Sequence, residues 1–158
     1  MAVWLHAWSV TLLLICMAME IVLLVIPLGG SDLLSRGRAV GRLTRVFHPL
    51  QLTFMGLAIV TGGHRATDLK PILGVAYLGP FFRLLIWKLV VVFVGILVAS
   101  YQYFGVGVRL DRMVRAEPPP DAAARATIPG RIRRLQVAAI VTLACFVTAY
   151  ALGRAMRV

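Results

Sequence analysis

Hydrophobic and polar positions alternate along this chain on the scale of whole helices. Long apolar runs cover about residues 4–28, 47–63, 82–105 and 135–152, separated by segments rich in arginine. A helix needs roughly 20 apolar residues to cross a hydrocarbon core of about 30 Å, and each run approaches or exceeds that length. None shows the period-two alternation of a barrel strand, and backbone groups inside lipid must be satisfied within the segment. The pattern predicts an all-α transmembrane four-helix bundle, up-down-up-down, forming a single domain over residues 1–158. The first run lacks a basic leading segment and is too long for the apolar stretch of a signal peptide, so it reads as a retained helix. Between the third and fourth helices a proline-rich linker is expected over about 109–134, with EPPPD at 117–121 as its stiff centre.

The polar residues inside these runs fall on stripes. At about 100° per residue, His6, Ser9, Leu13, Met17 and Glu20 share one face of the first helix. His48, Gln51, Met55, Ile59 and Gly62 share one face of the second, and Lys88, Gly95, Ala99 and Gln102 one face of the third. A polar group in lipid costs free energy unless it finds a partner or a cavity. These stripes are therefore expected to face the bundle interior.

Composition agrees with this pattern. Of 158 residues, 60% are hydrophobic and 15% charged, with a mean hydropathy of +0.88. The net charge of +11 is distributed as a topology signal. Arg36, Arg38, Arg42 and Arg45 lie in the first loop, and Arg109, Arg112, Arg115, Arg125, Arg131, Arg133 and Arg134 in the third. The opposite side carries only Arg65, Lys70, Arg83, Arg154 and Arg157. The positive-inside rule then places both termini outside, N-out/C-out, in a bacterial-type inner (plasma) membrane. The basic loops suit a bilayer with anionic headgroups. No aromatic residues interleave with them, so no nucleic acid partner is expected.

Candidate chemistry comes from depth. His6, His64 and Lys88 are expected to converge at the outer end. A neutral imidazole ligates iron and a cation meets a propionate, so this set suits a haem; His6 and His64 alone suit copper. Glu20 and His48, toward the inner side, are expected to pair and to accept and pass protons. The bland readings are an aromatic-belt histidine between Trp4 and Trp8, a solvated loop for His64, a capping role for His48 beside Pro49, and a snorkelling Lys88. Glu20 has no such reading, because an acid within an apolar run is paired or functional by default. Cys16 and Cys145 form no C-x-x-C motif and read as packing residues. Gly62 and Gly63 are expected to end the second helix. No phosphate-binding glycine loop or nucleophile grouping occurs.

The stretches LHAWSV at 5–10, GLAIVTGG at 56–63 and IWKLVVV at 86–92 together resemble the CopD/HemJ-like superfamily of small helical-bundle membrane proteins. The resemblance covers about two thirds of the chain. Its HemJ branch implies a b-type haem and oxidation of protoporphyrinogen IX, with a helix-one histidine and a helix-three lysine that match His6 and Lys88. Its CopD branch implies copper handling. An Arg-x-x-Asn-Glu-type segment of HemJ-like proteins is replaced here by RIRRLQ at 131–136.

The expectation is thus a protein binding haem b near its outer face, for electron transfer or porphyrin oxidation. His6 is the axial ligand, His64 a second ligand, Lys88 a propionate or substrate partner, and Glu20 with His48 a proton-handling pair. The alternatives are a cofactor-free subunit or assembly factor of a larger membrane complex, and a copper transport or resistance protein. Redox-complex subunits or a second copy of the chain are the protein partners these readings allow.

Overall fold

The structure, a computed structural model, describes residues 2–26 and 32–156. The expected end of the first helix at Leu28, and Arg157, lie outside the described residues. All regular structure among the described residues is helical, and four segments are long and apolar enough to cross a membrane. The chain is a multi-pass membrane protein.

Helix α1 covers Ala2–Val25 and α2 covers Leu33–Leu73. A 3-10 turn at Gly74–Leu78 leads into α3, Pro80–Ser100, which runs through a π-helical segment, Tyr101–Gly107, into α4, Val108–Arg115. A short α5, Ala122–Ala126, precedes α6, Ile128–Ala155.

Several boundaries differ from the sequence expectation. The second helix does not start near residue 47. It begins at Leu33, where the Asp32 side chain accepts from the Ser35 N–H at 2.9 Å and caps the free donors of the first turn. The basic first loop is therefore largely helix, and His48 sits within α2. Gly62 and Gly63 do not end this helix either; it continues to Leu73 through helix-compatible residues such as Arg65, Ala66 and Leu69. With 41 residues, α2 is roughly 60 Å long at ~1.5 Å per residue, twice the thickness of a hydrocarbon core.

The expected linker over 109–134 contracts in the same way. Residues 109–115 continue the third rod because Leu110 and Val114 are buried at helical spacing. Only 116–121, with its three prolines, and the turn residue Thr127 lack helix. The fourth long helix begins at Ile128 rather than 135, with Pro129 in its first turn, where a missing N–H costs nothing. Ile128, Ile132 and Leu135 are buried and make that turn part of the core.

The bundle is built from two close pairs, α1 with α2 and α3 with α6. At the end away from the start of α1 the pairs are joined by an apolar cluster that includes Leu24, Val40, Leu110, Ile128 and Leu135. Gln136 there donates to the Leu24 carbonyl at 2.9 Å, and Arg45 meets Asp111 at 2.7 Å. That ion pair is partly exposed and contributes about 0.2–1 kcal/mol. Nearer the start of α1, Leu13, Met17, Met55 and Phe146 form a second cluster. Trp4, Trp8, Trp87 and Phe93 are exposed, as side chains are where lipid is the solvent. Lipid tails remove the hydrophobic drive between helices, so close packing and interhelical hydrogen bonds hold the pairs together.

Candidate functional site

Two sites are stacked along the bundle. The deeper one is a buried polar centre. Glu20 of α1, His48 and Gln51 of α2, and Gln102 of the π segment are all buried. His48 Nε2 lies 2.9 Å from Glu20 Oε1. Gln51 Nε2 donates to Glu20 Oε2 at 2.6 Å, and Gln102 Nε2 donates to the same oxygen at 3.1 Å. Gln102 Nε2 is also 3.2 Å from His48 Nε2. Three nitrogen groups thus surround one carboxylate, with each of its oxygens within hydrogen-bond distance of a donor.

Local sequence explains why these groups meet. Pro49 has no N–H to give to the helix ladder, and α2 runs on through it. A π turn holds one residue more than an α turn and so re-aims the side chains beyond it. Here it carries Gln102 and Val106 inward together. Gly107 closes the turn: a methyl group there would stand 3.0 Å from His48 Cε1 and 3.2 Å from the Gln102 carbonyl oxygen. The Tyr103 ring meets His48 edge-on, with centroids 5.1 Å apart. One atom of the centre is left out. His48 Nδ1 is buried with no hydrogen-bond partner.

The second site is a cavity of about 360 Å3 at the end where α1 begins, lined by all four long helices. Its mouth carries His6, Arg65, Lys88 and Arg154, and its deeper wall is made by Leu13, Val92 and Phe146. The lining reaches the exposed surface at Ile59, Leu89 and Tyr150. The cavity is a cleft between the two helix pairs, cationic at the mouth and apolar within.

His6 has a defined orientation there. Thr61 Oγ1 donates its single hydrogen to the Leu57 carbonyl at 2.6 Å, and His6 Nδ1 lies 3.1 Å from the same oxygen. With its hydrogen committed, Thr61 Oγ1 accepts from His6 Nδ1–H. The neutral ring then carries its lone pair on Nε2. Gly62 permits this approach, since a methyl group would lie 3.0 Å from His6 Cε1.

The structure brings Glu20 to His48, and His6 to the same cavity as Lys88. It does not bring His64 to either. That ring is exposed on α2, with Nε2 3.8 Å from Asp68 Oδ2 and outside the cavity lining. Among the described residues no three of His, Cys, Asp and Glu converge as a metal-binding group. Cys16 is buried and Cys145 half-buried, both as free thiols.

The sequence reading missed Thr61, Arg65 and Arg154 as parts of the cavity. It placed Gln51 and Gln102 on inward stripes without assigning them to Glu20. Arg65 was missed because a helix assumed to end at Gly63 left no helical phase to place the residues beyond it. Comparison of the chain with protein-family models, curated proteins and solved structures returned no match.

Proposed function

We propose that this chain is a CopD/HemJ-like protein of a bacterial-type inner membrane, up-down-up-down with both termini outside. In this reading it holds a b-type haem in the cavity between its helix pairs, for electron transfer or porphyrin oxidation. His6 would ligate the iron, and Lys88, Arg65 and Arg154 would meet the propionates. His64, out on the exposed face of α2, has no part in it.

The observation that carries this reading is the His6 ring. Its Nδ1 is tied to Thr61 at 3.1 Å, which leaves Nε2, the nitrogen that ligates, as the lone-pair atom in a cleft. A histidine that donates its other ring N–H to a fixed acceptor is the usual arrangement of a metal-bound imidazole. The rest of the lining suits the group. About 360 Å3 is within the usual range of cofactor pockets, the apolar wall takes a macrocycle, and the cationic mouth takes carboxylates.

When bound, a haem supplies one-electron chemistry. The chain's own residues orient the ligating ring, neutralise the acidic edge and keep water from the apolar wall. The test is a visible spectrum of the protein purified in detergent after expression with adequate haem. A Soret band that His6→Ala removes is expected, and the absence of any Soret band from the unaltered protein sinks the reading.

A further inference from the structure

The buried polar centre has a feature that helix pinning does not explain. His48 Nε2 lies 2.9 Å from Glu20 Oε1, within hydrogen-bond distance, and the two glutamine amides complete the carboxylate shell. His48 Nδ1 remains buried and unpartnered. As an N–H it lacks an acceptor, and as a lone pair it lacks a donor. Either state is costly in so apolar a place, and a group left this way in an otherwise complete network marks an atom whose partner comes and goes.

We propose that the Glu20–His48 pair is a proton-exchange site, with His48 Nδ1 as the atom that releases and regains the proton. Loss from Nδ1 breaks the N–H bond of the imidazolium and leaves a neutral ring whose Nε2–H still bonds Glu20. The released proton goes to water, and uptake is the reverse. The centre passes between net neutral and one negative charge, and its three donor groups keep the carboxylate satisfied in both states.

Three further observations fit this role. Among the described residues, the titratable groups seen against the pair are Cys16 on α1 and Tyr103 on the π segment. Helix α6 passes this level near Ala139 and Thr142, neither of which titrates, between the Gln136 contact to Leu24 and the approach of Cys145 to Gly95. Among these described residues there is thus no fixed cation to compete for the carboxylate. His48 also lines a small cavity of about 10 Å3 with Met17, Met55 and Tyr103, at the lower limit for one water. Its Met17 and Met55 belong to the same apolar cluster as Leu13 and Phe146, which line the His6 cleft. The proton site stands whether or not that cleft holds a haem.

The chain has only three histidines, so nitrogen NMR of histidine-labelled protein in lipid bilayers reads each ring. His6→Asn and His64→Asn assign His48 by elimination, without disturbing the buried centre. The expected result is a His48 ring that passes between a doubly and a singly protonated form as pH is raised, with the proton lost from Nδ1 and that site exchanging with D2O. Glu20→Gln should abolish the doubly protonated form, because the balancing charge is gone. A His48 ring with one protonation state across the whole pH range, or an Nδ1 proton that does not exchange, overturns the proposal and leaves a static pin between helices.

Discussion

His6 Nδ1 and Thr61 Oγ1 lie 3.1 Å apart, and the Thr61 hydrogen is already committed to the Leu57 carbonyl at 2.6 Å. The ring is thereby fixed in both angle and tautomer by a residue 55 positions away. Thr61→Val removes the acceptor at nearly constant volume. In the haem reading, loss of such a partner lowers cofactor affinity about 10- to 100-fold, measured by haem titration. Thr61→Ser keeps the oxygen and should restore most of it. Equal loss in both variants would show that Thr61 acts through packing alone.

Lys88 tests the charge of the cleft. Its ammonium lies against Gly153, where a methyl group would stand 3.1 Å from Nζ, and it shares the mouth with Arg65 and Arg154. A charge-assisted contact to a carboxylate is worth about 1.5–3 kcal/mol, so Lys88→Met should weaken haem binding at least about tenfold. The spectrum of the remaining complex should be unchanged, because the ligating ring is not touched.

Glu20 tests the energetics of the buried centre. Glu20→Ala strands the donors of Gln51, Gln102 and His48 together, and removal of one partner from a buried pair costs about 3–5 kcal/mol. Glu20→Gln keeps an acceptor oxygen and should cost clearly less. Thermal unfolding in detergent, followed by circular dichroism, orders the two variants. Equal melting temperatures would mean that the centre is solvated rather than closed.

Gly107 tests whether the π turn is needed to close that centre. The contacts a methyl group would make there, 3.0 Å to His48 Cε1 and 3.2 Å to the Gln102 carbonyl oxygen, force either His48 or the turn to move. Gly107→Ala should therefore destabilise by about 1–3 kcal/mol, the usual cost of overpacking. Gly130→Ala in α6, where nothing lies within 4 Å, is the control and should be neutral or stabilising by up to about 1 kcal/mol.

Orientation is tested separately. Alkaline phosphatase, which is active only outside the cytoplasm, should be active when fused after the last residue and inactive when inserted in 116–121. The reverse pattern would overturn the arrangement inferred from the arginine-rich loops.

Much of this was readable in the chain itself. The four apolar runs, each long enough for a span, required helices because lipid offers the backbone no other partner. Helical period alone put Ser9, Leu13, Met17 and Glu20 on one face of α1, and all four are buried. The same period put Gln102 with Gly95 and Ala99, although a π turn then rotates the residues beyond it. Boundaries were less legible. Charge in 36–45 looked like a loop, yet Arg is a good helix former and Val40 and Thr44 are buried against the core. Gly62 looked like a helix end, yet its missing side chain serves His6.

Local forces that depend only on nearby residues, such as hydropathy, helical period and capping by Asp32, are set by the sequence alone. They determined a four-span helical membrane protein with a few polar groups facing inward. Which polar groups meet depends on the axial offset and rotation of helices far apart in the chain. Only tertiary packing decided that Glu20 bonds Gln51, Gln102 and His48, that Thr61 orients His6, and that His64 stays outside the cleft. In lipid an unpaired polar group costs several kcal/mol, and that cost selects one register among the many that apolar faces allow.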